Sequence, residues 1–177
     1  MSNFKDLVKE LQTLEGELLL IGNIEDKILE LIDKNKKVTE TYYLNHNSSD
    51  ENKTDSSSLS DVANNIYIKE LHKYFKDGVD NIYCDYSEIK AYIPSFIRES
   101  LRITKKNIYI TFLKEENYNF IEKKYQRYGL NCNLYSYDEC NVLVIEANDI
   151  IVHSPKETYY YVKDNIEKLY YDISESI

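Results

Sequence analysis

The 177-residue chain has no tryptophan, no excess of basic charge, and no apolar run near the roughly twenty residues that a membrane-spanning helix needs. Its opening, MSNFKDLVKE, lacks the apolar core of a secretory signal, so the chain is expected in the cytoplasm with no membrane partner. Acidic residues outnumber basic ones by 31 to 22, a formal net charge of -9 that repels phosphate backbones at long range and argues against nucleic acid. The densest basic runs, at Lys34, Lys36 and Lys37 and at Lys105 and Lys106, are short and suit helix ends or turns. The three cysteines, Cys84, Cys132 and Cys140, are odd in number and lack CxxC spacing, so they signal neither a disulfide framework nor a zinc knuckle. His46, His72 and His153 lack the helical pair spacing of a zinc site, and no metal is expected. Walker, HExxH and GxSxG motifs are missing, which leaves an enzyme assignment without positive support.

What is present is globular. A hydrophobic fraction of 42% and an aromatic fraction of 13% supply enough apolar surface for one folded domain. The eighteen tyrosines, with abundant Asn, Lys and Ile, read as the codon bias of an AT-rich genome and not as a functional stripe.

Ser2 is placed to cap a helix carrying Phe4, Leu7, Val8, Leu11 and Leu14 at helical spacing, stopped by Gly16. Glu17 to Gly22, ELLLIG, reads as a strand buried on both faces. A helix follows over residues 24–37 with Ile24, Ile28, Leu31 and Ile32 on one face, then a strand from Val38 to Asn45. Residues 46–60 carry almost nothing apolar and read as a mobile surface loop. A possible short strand at Ile66 to Ile68 precedes a helix through Leu71, Tyr74 and Phe75, closed by Gly78.

Val79 to Tyr86 and Asn107 to Leu113 are strands by their β-branched and aromatic content. Between them Ser87 is placed to cap a turn, and a helix begins near Pro94 and continues through Phe96, Ile97 and Leu101. Glu115 to Tyr128 reads as a helix with acids first and bases last, ended by Gly129. Leu130 to Tyr137 and Cys140 to Ala147 form a hairpin about Asp138 and Glu139. A last helix is expected from Ser154, with Tyr159, Val162, Ile166, Leu169 and Ile173 as a narrow apolar seam. The organisation expected is an N-terminal helix at 1–16, an α/β domain at 17–147, and a C-terminal helix within 148–177.

This order predicts a three-layer α/β fold: a mostly parallel twisted sheet with a C-terminal antiparallel hairpin and helices on both faces. The layout resembles that of class I S-adenosylmethionine-dependent methyltransferases from about Glu17 to Ala147. That resemblance implies a glycine-rich cofactor turn after the first strand. LLLIGNIED stands there, with Gly22 matching the first glycine, Ile24 and Asp26 in place of the next two, and Leu20 in place of the acid. Asn45 stands where the family places a carboxylate for the ribose hydroxyls. GVDNIYCDY resembles the fourth strand, with Asp80 entering it and Asp85 leaving it. Asp85 is the weak catalytic candidate, although a carboxylate at that point also serves as a turn cap.

The functional expectation is a degenerate, non-catalytic methyltransferase-like domain without a cofactor, acting as a binding or interaction module. Its C-terminal helix is expected either to pack on the domain itself or to meet a protein or a second copy of the chain through Val162, Ile166, Leu169 and Ile173. The alternative is an active S-adenosylmethionine-dependent methyltransferase with an atypical cofactor loop, its site lined by Gly22, Asn45 and Asp85.

Overall fold

The computed structural model describes residues 3–44 and 68–147. Ser2, Asn45, the 46–60 loop and the C-terminal seam lie outside the described residues. Among the described residues six strands form one sheet: β1 (Gly16–Ile21), β2 (Val38–Leu44), β3 (Val79–Asp85), β4 (Thr104–Leu113), β5 (Asn131–Tyr137) and β6 (Cys140–Glu146). Their spatial order is β2-β1-β3-β4-β6-β5. β1 to β4 pair in parallel, and β6 runs antiparallel to both β4 and β5. The hairpin therefore inserts β6 between β4 and β5, as the expected layout requires. Tyr137 pairs with Cys140 across a two-residue loop, and Asp138 takes the positive φ (45°) that such a tight reversal needs.

The central strands read as nearly continuous apolar runs because each is buried on both faces. Alternate residues divide between two cores. Leu19, Ile21, Ile82, Cys84, Ile108, Ile110, Leu143 and Ile145 face one side. Leu18, Leu20, Tyr83, Tyr109, Val142 and Val144 face the other.

The first core is closed by α3 (Leu71–Tyr74), α5 (Ile93–Ile103) and α6 (Asn119–Gln126), through Leu71, Phe96, Leu101, Ile121 and Tyr125. The second is closed by α1 (Phe4–Gln12) and α2 (Asp26–Lys34), through Leu7, Leu11, Ile28 and Ile32. α4 is a single turn, Tyr86–Ile89, directly after β3.

Several boundaries differ from the sequence expectation. Asn3 is the cap of α1, in a reciprocal box with Asp6. Ile68 opens a 3-10 turn, Ile68–Glu70, and not the end of a strand. Pro94 lies in the first turn of α5 as expected. β4 starts three residues early, at Thr104, because it pairs with Val79 there. α6 starts at Asn119 instead of Glu115, since Glu116 turns back to accept the Leu113 backbone N–H at 2.9 Å.

Candidate functional site

In an open parallel sheet, ligand sites form beyond the carboxyl ends of the strands. Here β1 ends at Ile21, paired with Cys84 of β3, so the next residues, Gly22 and Asp85, are neighbours. Gly22 is held at φ +88° and donates its backbone N–H to the Leu44 carbonyl at 2.8 Å, tying the end of β1 to the end of β2. Two of the expected site residues, Gly22 and Asp85, are thus brought together.

The hollow beside Gly22 is already filled. A Cβ there would fall inside the van der Waals envelope of Glu88 Cγ, and it would lie 3.2 Å from Asp85 Cβ and 3.3 Å from Glu88 Cβ. Glu88 rides on α4, so the turn that follows β3 brings its side chain against Gly22 at the end of β1. Asp85 is the N-cap of that turn: its Oδ1 accepts the Ser87 backbone N–H at 3.1 Å. Ser87, expected as the cap, is the residue capped.

The rest of the expected cofactor turn departs further. Ile24 packs against the second core, and Leu20 is 1% exposed inside it. Glu25 caps α2 without a side-chain cap hydrogen bond, and Asp26 is its first residue. A helix N-terminus favours an anionic ligand, but here the chain supplies its own carboxylates at that place. Where the resemblance implies two further glycines, this chain therefore carries side chains, Ile24 on the core and Asp26 at the start of α2.

Beside this edge lies a cluster that the sequence did not signal. The Cys140 thiol donates to Glu25 Oε1 at 3.3 Å, and the Thr111 hydroxyl donates to the Tyr83 oxygen at 3.2 Å. Burial, with Glu25 beside it, pushes the Cys140 thiol up to about 11. Burial also raises Tyr83 and Tyr137 above the ordinary tyrosine value. Neither the Cys140 thiol nor the Tyr83 and Tyr137 hydroxyls are thereby poised as nucleophiles or bases near neutrality. Lys27 pairs with Asp138 and lies over the rings of Phe4 and Tyr137, at 5.0 and 4.5 Å, pinning α1 and α2 to the hairpin.

At the opposite edge, Asp80 is structural. Its Oδ2 accepts the Glu17 backbone N–H at 2.8 Å, and Gly16 has no room for a side chain against it. His72 does not join any of these sites. Its Nδ1 and backbone N–H both meet the fully buried Glu99 carboxylate, at 2.9 and 3.1 Å. An open, polar cleft of about 490 Å3 lies at the amino end of β4, lined by Gln126, Asn131, Asn133 and Glu146 among others. Among the described residues no group of three or more His, Cys, Asp or Glu could hold a metal ion. No helix among them is long and apolar enough to cross a membrane.

No family model matches the chain, and no curated protein matches it. Solved structures similar to it include the METTL16 MTase domain, at 9% identity and a TM-score of 0.40 over 82% of this chain. Another is PH1948 of Pyrococcus horikoshii, assigned as an RNA methyltransferase, at 11% identity and a TM-score of 0.33 over 80% of each chain. The chain spans 66% of the length of the METTL16 domain structure. On its strand order, β2-β1-β3-β4-β6-β5 with the last hairpin antiparallel, the chain has a methyltransferase-like α/β fold.

Proposed function

We propose that this chain is a methyltransferase-like domain that does not bind S-adenosylmethionine and serves as a non-catalytic binding module. The observation that supports the reading is the side chain of Glu88 seated against Gly22, in the space that a cofactor would take. Ile24, packed on the second core, removes a second opening, and Asp85 is committed to capping α4.

Titration calorimetry with S-adenosylmethionine is the test, on the wild type and on Glu88→Ala. No measurable binding by the wild type is expected. A dissociation constant in the low micromolar range would overturn the reading and promote an enzyme with an atypical cofactor loop. One observation favours that second reading: Gly22 and Asp85 are adjacent at the carboxyl edge, where such an enzyme needs them. If Glu88→Ala alone gains binding, the cradle survives beneath the carboxylate and Glu88 is what closes it.

A further inference from the structure

β5 stands last in the strand order, and among the described strands it pairs with β6 alone. Its faces are covered. Cys132 and Leu134 pack against the first core and Tyr135 against the second, where the Tyr135 hydroxyl donates to Glu10 of α1 at 3.4 Å. What remains is the outer rim of backbone N–H and carbonyl groups, and such a rim is a template for a further strand.

Natural edges are blunted by charge, proline, a bulge or shortness. β5 uses none of these devices. Its seven residues, NCNLYSY, carry no charge and no proline, and its register with β6 runs without a shift from Asn131 to Tyr137. The strand at the other end of the order differs, since β2 holds Glu40 and its pairing with β1 shifts between Gly16 and Glu17.

The cleft of about 490 Å3 opens on the rim of β5. Asn131, Cys132 and Asn133 all line it, and successive side chains of a strand point to opposite faces, so the cleft reaches round the strand's edge. Gln126 and Gly129 also line it, and among the described residues nothing lies within 4 Å of the place that a β-carbon on Gly129 would take. Glu146 is the charged side chain in the lining, and it accepts from Asn133 Nδ2 at 3.3 Å. Burial, with Glu122 and Glu146 nearby, pushes the Cys132 thiol up to about 12, in keeping with negative potential there. The chain's net charge of -9 adds long-range attraction for a basic partner.

We propose that the outer edge of β5 takes an extended, basic segment of another protein as an additional strand, with a lysine or arginine of that segment in the cleft beside Glu146. This rests on the reading of the domain as a binding module and gives the chemistry of what it binds. Backbone hydrogen bonds along β5 supply the affinity, and Glu146 selects the charge.

Fluorescence anisotropy of the full chain with labelled synthetic peptides tests it. A TVKVKVT peptide is expected to bind with a sub-millimolar dissociation constant, and TVEVEVT roughly tenfold more weakly. TPKPKPT, which keeps the lysines but cannot pair as a strand, should not bind. Glu146→Gln should erase the preference for lysine over glutamate. With TVKVKVT bound, hydrogen exchange should slow at the backbone amides of residues 131–137. No binding of TVKVKVT by the folded chain overturns the proposal, as it would if the chain's own remaining residues occupy the edge. Equal binding of TPKPKPT reduces the attraction to charge alone and overturns it, as does slowed exchange at β2 instead of β5. A Glu146→Gln chain that keeps its preference refutes the part given to Glu146. Cofactor titration is a separate measurement: a chain that binds neither S-adenosylmethionine nor the peptide loses only this inference, and one that binds the cofactor loses the non-catalytic reading.

Discussion

Substituting Gly22 by alanine probes the contact on which the functional reading depends. Two costs are expected. Holding a side chain at φ +88° costs about 1–2 kcal/mol, because the β-carbon crowds the following carbonyl. Driving that carbon against Glu88 Cγ adds an overpacking cost of about 1–3 kcal/mol. Together they destabilise the domain by about 2–5 kcal/mol. For a chain of this length, that lowers the melting temperature by about 4–20 °C.

A double-mutant cycle separates the two. In a Glu88→Ala background the Cγ is gone and the Cβ contact remains at 3.3 Å, which is tight but relieved by a small shift. Gly22→Ala should then cost the backbone share plus a small relaxation of the Asp85 and Glu88 β-carbons, and losing the Cγ clash leaves a coupling of about 1–3 kcal/mol between the positions. Thermal and urea melts followed by circular dichroism supply all four corners. A coupling below about 0.5 kcal/mol, the scatter of independent sites, would mean that Glu88 does not occupy the hollow and would remove the support for a closed cradle.

Glu99→Ala should lower stability by about 3–5 kcal/mol, since it strands the His72 backbone N–H and leaves Arg102, 3.6 Å away, without this buried partner. Glu99→Gln, which keeps an acceptor for the His72 backbone N–H, should cost less, and losses in calorimetry equal to those of Glu99→Ala would refute the contribution of that hydrogen bond. All three cysteines should resist iodoacetamide at pH 8 in the folded protein, because burial pushes Cys132 up to about 12, Cys140 up to about 11 and Cys84 up as well. Mass spectrometry showing one thiol alkylated as fast as free cysteine would contradict this. Burial raises Tyr83, Tyr109 and Tyr125, so the unfolded chain releases protons first as pH climbs. Stability should hold below the unfolded tyrosine value of about 10 and fall above it, and melts at pH 8, 10 and 11 that coincide would refute the linkage.

The strands were legible because burial on both faces writes itself as runs such as ELLLI and CNVLVIE, and the hairpin because Asp138 and Glu139 interrupt two such runs. Gly22 and Asp85 were legible as strand-end residues, and Asp85 as a turn cap. What escaped were contacts between residues distant in sequence. Glu88 against Gly22, Glu99 against His72, and Lys27 against Asp138 each join elements whose proximity exists only once the strand order is known. The late start of α6 escaped for a different reason. Glu115 and Glu116 look like the acidic first turn of a helix, but Glu116 instead satisfies a backbone N–H at the end of β4.

The insertion of β6 between β4 and β5 bears on how the chain is made. A chain growing from its amino terminus completes β5 at Tyr137 before any residue of β6 exists, and among the described strands β5 pairs with β6 alone. Until Glu146 has left the ribosome, β4 presents an open flank on one side and β5 has no place in the sheet, both conditions that invite mispairing. A premature stop before Cys140 would therefore cost the nascent sheet two strands where the genetic lesion removes one.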